Sequence, residues 1–217
     1  MVIFEICTET LAGAIAAEQG GAHRIELCAH LELDGLTPNP DLLLAVKEAV
    51  EIPVLCMVRP HPGSFCYTEP QLQDLLDDAQ RLIALGADGL VVGMLTSEGT
   101  VDMVQLQRFM KLNCGMPVTF HKAFDVLAHQ EEGLEQLIQL GVQRVLTSGG
   151  AATAEQGIDQ LEKLVRLAAG RIEIVVGGGL RAHNVKALRT QTKALAFHSA
   201  LDRNPTVESV GKLVQSL

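Results

Sequence analysis

Two short phrases near the start of the chain each place a glutamate two residues before a cysteine. They are Glu5-Ile-Cys7 and Glu26-Leu-Cys28. Side chains two residues apart on a β-strand point to the same face, and adjacent strands lie about 4.8 Å apart. Two thiolates at that spacing can bind one soft ion such as Cu(I). The same pattern fits a pair of small buried side chains, which is what unpaired cysteines usually are.

A second cluster of ionisable residues ends the stretch Pro117-Val-Thr-Phe-His-Lys-Ala-Phe-Asp125, which begins as a buried β-strand. His121 with Asp125 has the residue types of a general base and the carboxylate that orients it. Lys122 between them supplies a positive charge for an anion. A lone histidine is more often structural, so the interpretation depends on where this strand ends in the fold.

Charged residues also fall inside or directly after the early predicted strands, and they have two interpretations. The residues are Glu5, Arg24, Glu26 and Arg59. In one interpretation they form a salt-bridge network that satisfies buried charge and does no chemistry. In the other, Glu5 and Glu26 supply acid and base groups, and Arg59 holds an anion at the start of a loop rich in proline and glycine.

A glycine-rich segment near the C-terminus has the composition of an anion site. Gly177, Gly178 and Gly179 follow the seventh predicted strand, and His198 ends the eighth. Glycines let backbone N–H groups approach an anion, and the loops at this point of a barrel are the usual phosphate-binding place. Ser148, which precedes two glycines after the sixth strand, extends the same rim. An ordinary tight turn is the alternative.

Alternating strands and helices would position these residues. Eight strands are predicted, at roughly residues 2–7, 24–28, 53–59, 89–94, 117–121, 144–148, 173–177 and 194–198, with helices filling most gaps. The pattern predicts an α/β fold, a single-domain (β/α)8 TIM barrel over residues 1–217. A doubly wound sheet is the alternative. It requires a glycine-rich turn after the first strand, where this chain reads Cys-Thr-Glu-Thr-Leu-Ala-Gly.

The alternation along each strand predicts which side chains face the interior of the barrel. Large apolar residues should face the helices, which leaves the polar set pointing inward. An inward charge is costly unless it is paired or hydrated, and barrel enzymes place their active sites at the C-terminal ends of the strands. We therefore expect Glu5, Glu26, Arg59 and His121 to line one polar pocket at that end.

The composition excludes some classes of function. The net charge of -9 argues against a nucleic acid or an anionic membrane as partner. No apolar run reaches about 18 residues, and the N-terminus lacks the basic segment of a signal peptide. The five cysteines are scattered, which predicts a reduced cytoplasmic protein rather than a disulfide framework. No motif indicates an organic cofactor.

Several phrases, in order from the first strand to the last, resemble the CutC family, which is named for copper homeostasis. They are EIC at 5–7, GAHRIELC at 21–28, GLTP at 35–38, VRP at 58–60, FCY at 65–67, TFHKAFD at 119–125, RVLTSGG at 144–150 and HS at 198–199. The resemblance implies a (β/α)8 barrel, a cytoplasmic location, a homo-oligomer (dimer or tetramer) and copper binding. The Cu(I) ligands proposed in that family fall on Cys7 and Cys28.

The chain departs from the family pattern at two places. After VRP the family usually reads Arg-Gly-Gly-Asp-Phe, whereas this chain reads His61-Pro-Gly-Ser-Phe65 and loses a charge pair. Where the family has His-Arg in the fifth strand motif, this chain has His121-Lys122. Lysine keeps the positive charge but not the two-pronged hydrogen bonding of arginine.

Two hypotheses for the function follow. The first is a copper-binding protein of copper homeostasis. The second is an enzyme, of isomerase, epimerase or lyase type, that acts on a small anionic or phosphorylated metabolite. In the second, acid and base groups come from Glu5, Glu26, His121 and Asp125, and the anion is held by Arg59 and Lys122. The fold by itself does not choose between them.

Overall fold

Eight parallel strands close into a barrel in this computed structural model, which describes residues 1–112 and 115–217. Each strand pairs with the next along the chain, and the last pairs with the first. The strands are β1 (Ile3–Thr8), β2 (Arg24–Leu27), β3 (Val54–Met57), β4 (Gly89–Val92), β5 (Val118–Phe120), β6 (Arg144–Thr147), β7 (Glu173–Val176) and β8 (Ala196–Ser199). Every end lies within two residues of its predicted position. Cys114 lies outside the described residues.

An α-helix follows each strand in the described ranges. The helices are α1 (Leu11–Gln19), α2 (Pro40–Ala49), α3 (Glu69–Ala84), α4 (Met103–Leu112), α5 (Gln130–Gln139), α6 (Ile158–Ala168), α7 (Val185–Thr192) and α8 (Val207–Val214). Because β8 pairs with β1, the (β/α)8 barrel is confirmed and the doubly wound sheet is excluded. Across the part of the chain that the structure describes, every helix is too short or too polar to cross a membrane.

The sequence around α3 shows how the outer layer forms. Its buried residues are apolar and recur at helical spacing: Leu72, Leu75, Leu76, Ala79 and Leu82. At its N-terminus the backbone N–H of Thr68 donates to the side-chain oxygen of Gln71 at 2.9 Å. This bond satisfies one of the donors that helix starts leave free. The buried stripe then fixes α3 against the barrel.

The alternation of side chains divides the interior into two regions. Side chains on the outer face of the strands, such as those of Phe4, Ile6 and Cys56, pack between the strands and the helices. Side chains on the inner face fill the barrel in two small apolar clusters: Cys7, Cys28, Leu55, Met57 and Val91, and Leu146, Val175 and Ala196. The inward set is thus partly apolar, whereas the strand pattern predicted that large apolar side chains would face the helices.

A layer of buried charges lies inside the barrel, toward the N-terminal ends of the strands. Arg24 donates from Nε to Glu5 Oε2 at 2.6 Å, and its Nη1 lies 2.9 Å from Glu173 Oε2. Arg144 donates from Nε to Thr119 Oγ1 at 2.9 Å. The salt-bridge interpretation therefore holds for Glu5 and Arg24, which compensate each other's charge in a site with little access to water.

Replacing Arg24 with methionine should destabilise the barrel strongly. It would leave Glu5 buried without its cation, and removing one partner of a buried ion pair typically costs about 3–5 kcal/mol. Arg108→Met is the matched control, since Arg108 pairs with Glu69 at the surface and an exposed pair contributes about 1 kcal/mol or less. Urea unfolding at neutral pH measures both. Equal losses in the two variants would contradict a structural role for the buried pair.

Candidate functional site

Two adjoining cavities open at the C-terminal ends of the strands. The inner cavity, with a volume of about 260 Å³, lies within the barrel and has polar walls formed by Cys7, Glu26, His121 and His198. The mouth cavity, of about 540 Å³, lies above it and is bordered by Arg59, Lys122, Asp125, Ser148, Gly177 and Gly178. Lys122 and His198 line both cavities. Of the four residues expected around one polar pocket, Glu26 and His121 line the inner cavity and Arg59 lines the mouth cavity, whereas Glu5 lines neither.

The two cysteines of the Glu-x-Cys phrases meet inside the barrel. Cys7 Sγ lies 3.5 Å from Cys28 Sγ, and both residues are buried. Strand register places Cys7 opposite Glu26, so the two cysteines contact each other diagonally. Their hydrogen bond, followed by burial and the charge of Glu26, raises the pKa of Cys7 well above its usual value. Cys7 is therefore a thiol in the metal-free protein, and a bound cation must displace its proton.

Glu5 fixes the orientation of His198. His198 Nδ1 donates to Glu5 Oε1 at 2.7 Å, which leaves Nε2 facing Glu26 at 3.9 Å from its Oε1. Burial would raise the pKa of Glu5, but the hydrogen bond from His198 and the charge of Arg24 lower it to about 2. Burial would likewise lower the pKa of His198, but Glu26 and Glu5 together raise it.

One ligand atom each from Cys7, Glu26 and His198 lies within 4.8 Å of the other two. Burial is the main cause that raises the pKa of Glu26. A histidine that donates one ring N–H to a carboxylate and presents its other nitrogen is the usual arrangement around protein-bound metals. Metal–sulfur bonds are about 2.3 Å long, so sulfur atoms 3.5 Å apart would form a bent pair around one ion. A bent pair leaves room for a third ligand.

His121 presents one nitrogen to the inner cavity in a defined protonation state. Its Nδ1 accepts the backbone N–H of Ala123 at 3.1 Å, so the ring proton of the neutral form lies on Nε2. Burial, together with the charges of Arg59 and Lys122, lowers the pKa of His121 to about 3. His121 is thus a neutral hydrogen-bond donor, and a role as general base stays a prediction.

The pairing of His121 with Asp125 expected from the sequence does not form. Asp125 instead accepts hydrogen bonds from the Thr147 hydroxyl at 2.5 Å, from the Ser148 N–H at 3.0 Å and from the Gly150 N–H at 2.8 Å. Asp125 therefore holds the loop after β6 rather than the imidazole. Its carboxylate also occupies backbone amides that were expected to extend the anion rim.

Arg59 and Lys122 already have protein partners. Arg59 is 3% exposed, and its terminal nitrogens donate to three loop carbonyls at 2.9–3.2 Å: those of Leu33, Gly35 and Gly63. Lys122 forms a salt bridge with Asp34 at the surface. Arg59 thus joins the loops after β2 and β3, whereas Lys122 can exchange an exposed partner for an incoming anion at small cost.

The predicted glycine rim borders the mouth cavity. Gly178 and Gly179 have φ values of +98° and +74°, in the left-handed region that favours glycine. A Cβ atom at Gly178 would lie 2.9 Å from Ser148 Cβ, so a side chain would not fit there. Ser148 donates its hydroxyl to the Ala151 carbonyl at 2.6 Å. The backbone N–H of Gly177 donates to the Thr147 carbonyl at 3.0 Å, so it is not available to an anion. An anion at the rest of this rim stays a prediction.

Sequence reasoning gave no role to two residues that position His121. The centre of the Phe65 ring lies 4.9 Å from the centre of the His121 imidazole. The Arg59 guanidinium lies 5.1 Å from the centre of the Phe65 ring. A Cβ atom at Gly93 would lie 2.2 Å from His121 Cε1, so only glycine leaves space for the imidazole. A glycine directly after the buried strand β4 was the available signal for this close approach.

Sequence and structure comparisons both find matches to one family of known proteins. A sequence profile described as the CutC family matches residues 2–203. A CutC family protein of Xanthomonas axonopodis pv. citri is 42% identical over 196 residues, covering 90% of this chain and 82% of that protein. The human protein named copper homeostasis protein cutC homolog is 39% identical, covering 90% of this chain and 72% of its own length. A Streptococcus agalactiae structure named as copper homeostasis protein CutC superimposes with a TM-score of 0.87 at 32% identity, covering 91% of this chain and 98% of that one.

The link between Glu5 and His198 predicts a pH dependence. His198 should titrate above its ordinary 6.5, so the stability that it adds is present below pH 6.5 and is lost as pH rises through the folded pKa. Glu5→Gln removes the carboxylate charge and should lower the pKa of His198, whereas Glu135→Gln, at an exposed pair with Arg171, should not. An NMR titration of the metal-free protein measures this. A His198 pKa that is unchanged in Glu5→Gln would contradict the link.

Proposed function

The chain belongs to the CutC family, and we propose that it is a cytoplasmic copper-binding protein of copper homeostasis. In this proposal one Cu(I) ion binds to Cys7 and Cys28 inside the barrel. The observation that carries the proposal is the 3.5 Å contact between the two buried sulfur atoms, beside an imidazole whose outward nitrogen is free of Glu5. Thiolate and imidazole are the ligands that the soft Cu(I) ion prefers.

His198 completes the proposed site as a third ligand. Glu5 holds its Nδ1 at 2.7 Å, so the lone pair of Nε2 is directed away from that carboxylate once the ring is neutral. The site then releases protons when copper binds, because a thiol that becomes a ligand, such as that of Cys7, must lose its proton. Glu26 stays beside the ion and partly compensates its positive charge, since Glu26 Oε1 lies 3.9 Å from His198 Nε2.

The proposed location and assembly rest on the chemistry of the cysteines and on the family. Cys7, Cys28, Cys56 and Cys66, the cysteines within the described ranges, are all free thiols. Free thiols persist in the reducing cytoplasm, and a Cu(I) site of this kind requires them. We propose a homo-oligomer, a dimer or a tetramer, because the resemblance to the family implies one.

A second proposal concerns the mouth cavity. The backbone of Gly178, the nearby ammonium of Lys122 and the volume of about 540 Å³ favour a small anionic or phosphorylated ligand there. An enzyme of isomerase, epimerase or lyase type would then draw acid and base groups from the inner cavity. Arg59 supports the loops in this proposal and does not touch the anion, because its terminal nitrogens are occupied.

The copper proposal predicts about one Cu(I) per chain in the reduced protein. Cys7→Ser with Cys28→Ser should lose most of the affinity, and His198→Ala should weaken it, because the imidazole is the third ligand. The control is Cys56→Ser, because Cys56 packs between strand and helix, away from the site. Competition with a chromogenic Cu(I) chelator measures all of these. Unchanged affinity in the double variant would refute the proposal.

The anion proposal predicts that millimolar phosphate raises the melting temperature of the metal-free protein through binding to the folded state. Lys122→Met should remove most of this shift. Lys163→Met is the control, because Lys163 forms a comparable surface pair with Glu131. Differential scanning fluorimetry at constant ionic strength, with chloride as reference, measures the shift. A shift that persists in Lys122→Met would place the anion elsewhere, and the absence of any shift would reject the site.

A further inference from the structure

The inner cavity contains two buried polar atoms that no group in residues 1–112 or 115–217 satisfies. They are Nε2 of His121 and Oε2 of Glu26. The two residues are 3% and 2% exposed, and both line the cavity of about 260 Å³. Unsatisfied buried polar atoms are uncommon in native proteins and call for an explanation. A ligand that bonds to both atoms provides one.

His121 can only donate at its unsatisfied atom. The Ala123 N–H occupies Nδ1, so the neutral ring carries its proton on Nε2. The ring is held in place because it packs against the backbone of Gly93 on one side and against the Phe65 ring on the other. A neutral, fixed imidazole N–H is a donor suited to a carbonyl oxygen, which it polarises without transferring a full charge.

Glu26 requires a different partner. The Cys7 thiol lies beside its carboxylate, and its Oε1 lies 3.9 Å from His198 Nε2, whereas its Oε2 has no hydrogen-bond partner among the described residues. A ligand hydroxyl is suited to Oε2 in either protonation state, because a hydroxyl donates to a carboxylate and accepts from a carboxylic acid. A ligand carboxylate is disfavoured, since it would repel Glu26 in the ionised form.

The remaining walls of the inner cavity fit a short carbon skeleton. Leu31, Met57 and Leu146 supply apolar surface, and the side chains of Lys122 and Arg203 balance the acidic groups near the entrance. The titratable groups that face the cavity from all of its sides are Cys7, Glu26, Asp34, His121, Lys122, His198 and Arg203. Such a mixture of polar and apolar walls favours a small neutral molecule with oxygen at two positions.

We propose that the inner cavity binds a small hydroxycarbonyl compound, such as a short sugar or a fragment of one. Its carbonyl oxygen accepts the Nε2–H of His121, and a hydroxyl bonds to Oε2 of Glu26. The ligand enters through the mouth cavity, with which the inner cavity shares Lys122 and His198. This binding function is separate from copper binding, although a ligand in the cavity would lie beside Cys7.

The test titrates reduced, metal-free protein with hydroxyacetone, the smallest stable probe that has one carbonyl and one hydroxyl group. Acetone lacks the hydroxyl and propane-1,2-diol lacks the carbonyl, so each should bind about tenfold more weakly, as expected for one lost hydrogen bond at a buried site. NMR follows the backbone amide of Gly93 and the Nε2–H proton of His121. That proton should shift on addition of hydroxyacetone.

Variants separate a bound ligand from ordered water. His121→Phe should abolish the preference for hydroxyacetone over propane-1,2-diol, and His121→Gln, which restores an N–H donor, should recover part of it. His129→Gln is the control, since His129 is exposed. Equal binding of all three probes, or a His121 proton that does not respond to any of them, would overturn the proposal and leave water as the partner. The result does not depend on whether Cys7 and Cys28 bind copper, because no metal is present.

Discussion

A single buried carboxylate, that of Glu5, connects the stability of this barrel to its candidate site. Glu5 is 1% exposed, and it is held between Arg24 at 2.6 Å and His198 at 2.7 Å. A buried carboxylate is tolerated only when opposite charge and hydrogen bonds compensate its desolvation. Arg24 supplies the charge from the N-terminal side of the barrel. His198 supplies a hydrogen bond from the other side and is thereby fixed toward the cavity.

The chemistry of the inner cavity follows from that arrangement. Because His198 directs one nitrogen toward Cys7 and Glu26, three ligand types meet within 4.8 Å. The 3.5 Å contact of Cys28 with Cys7 adds a second sulfur atom. In the metal-free protein the thiol of Cys7 stays protonated, since its pKa is raised. Copper binding in our account is therefore an exchange of protons for a cation at a site that already exists, with little movement of the strands.

The sequence predicted the barrel and the inward side chains because both depend on local periodicity. The alternation within each strand identified Glu5, Glu26 and His121 as inward-facing, and the twin Glu-x-Cys phrases identified Cys7 and Cys28. The loop contacts could not be predicted. Asp125 accepts hydrogen bonds from the loop after β6, and Arg59 donates to loop carbonyls. Both sets of bonds depend on backbone conformations that residue types alone do not specify. A glycine directly after β4 is visible in the sequence. That Gly93 makes space for the His121 imidazole is visible only in the structure.

We propose that His198, oriented by Glu5, joins Cys7 and Cys28 around one ion. X-ray absorption spectroscopy of the Cu(I)-loaded protein can identify these ligands, because the fine structure distinguishes sulfur from nitrogen and detects an imidazole ring. Our account predicts two sulfur ligands and one imidazole nitrogen in a three-coordinate site. A linear site with two sulfur ligands and no imidazole scattering, or a site without sulfur, would contradict it.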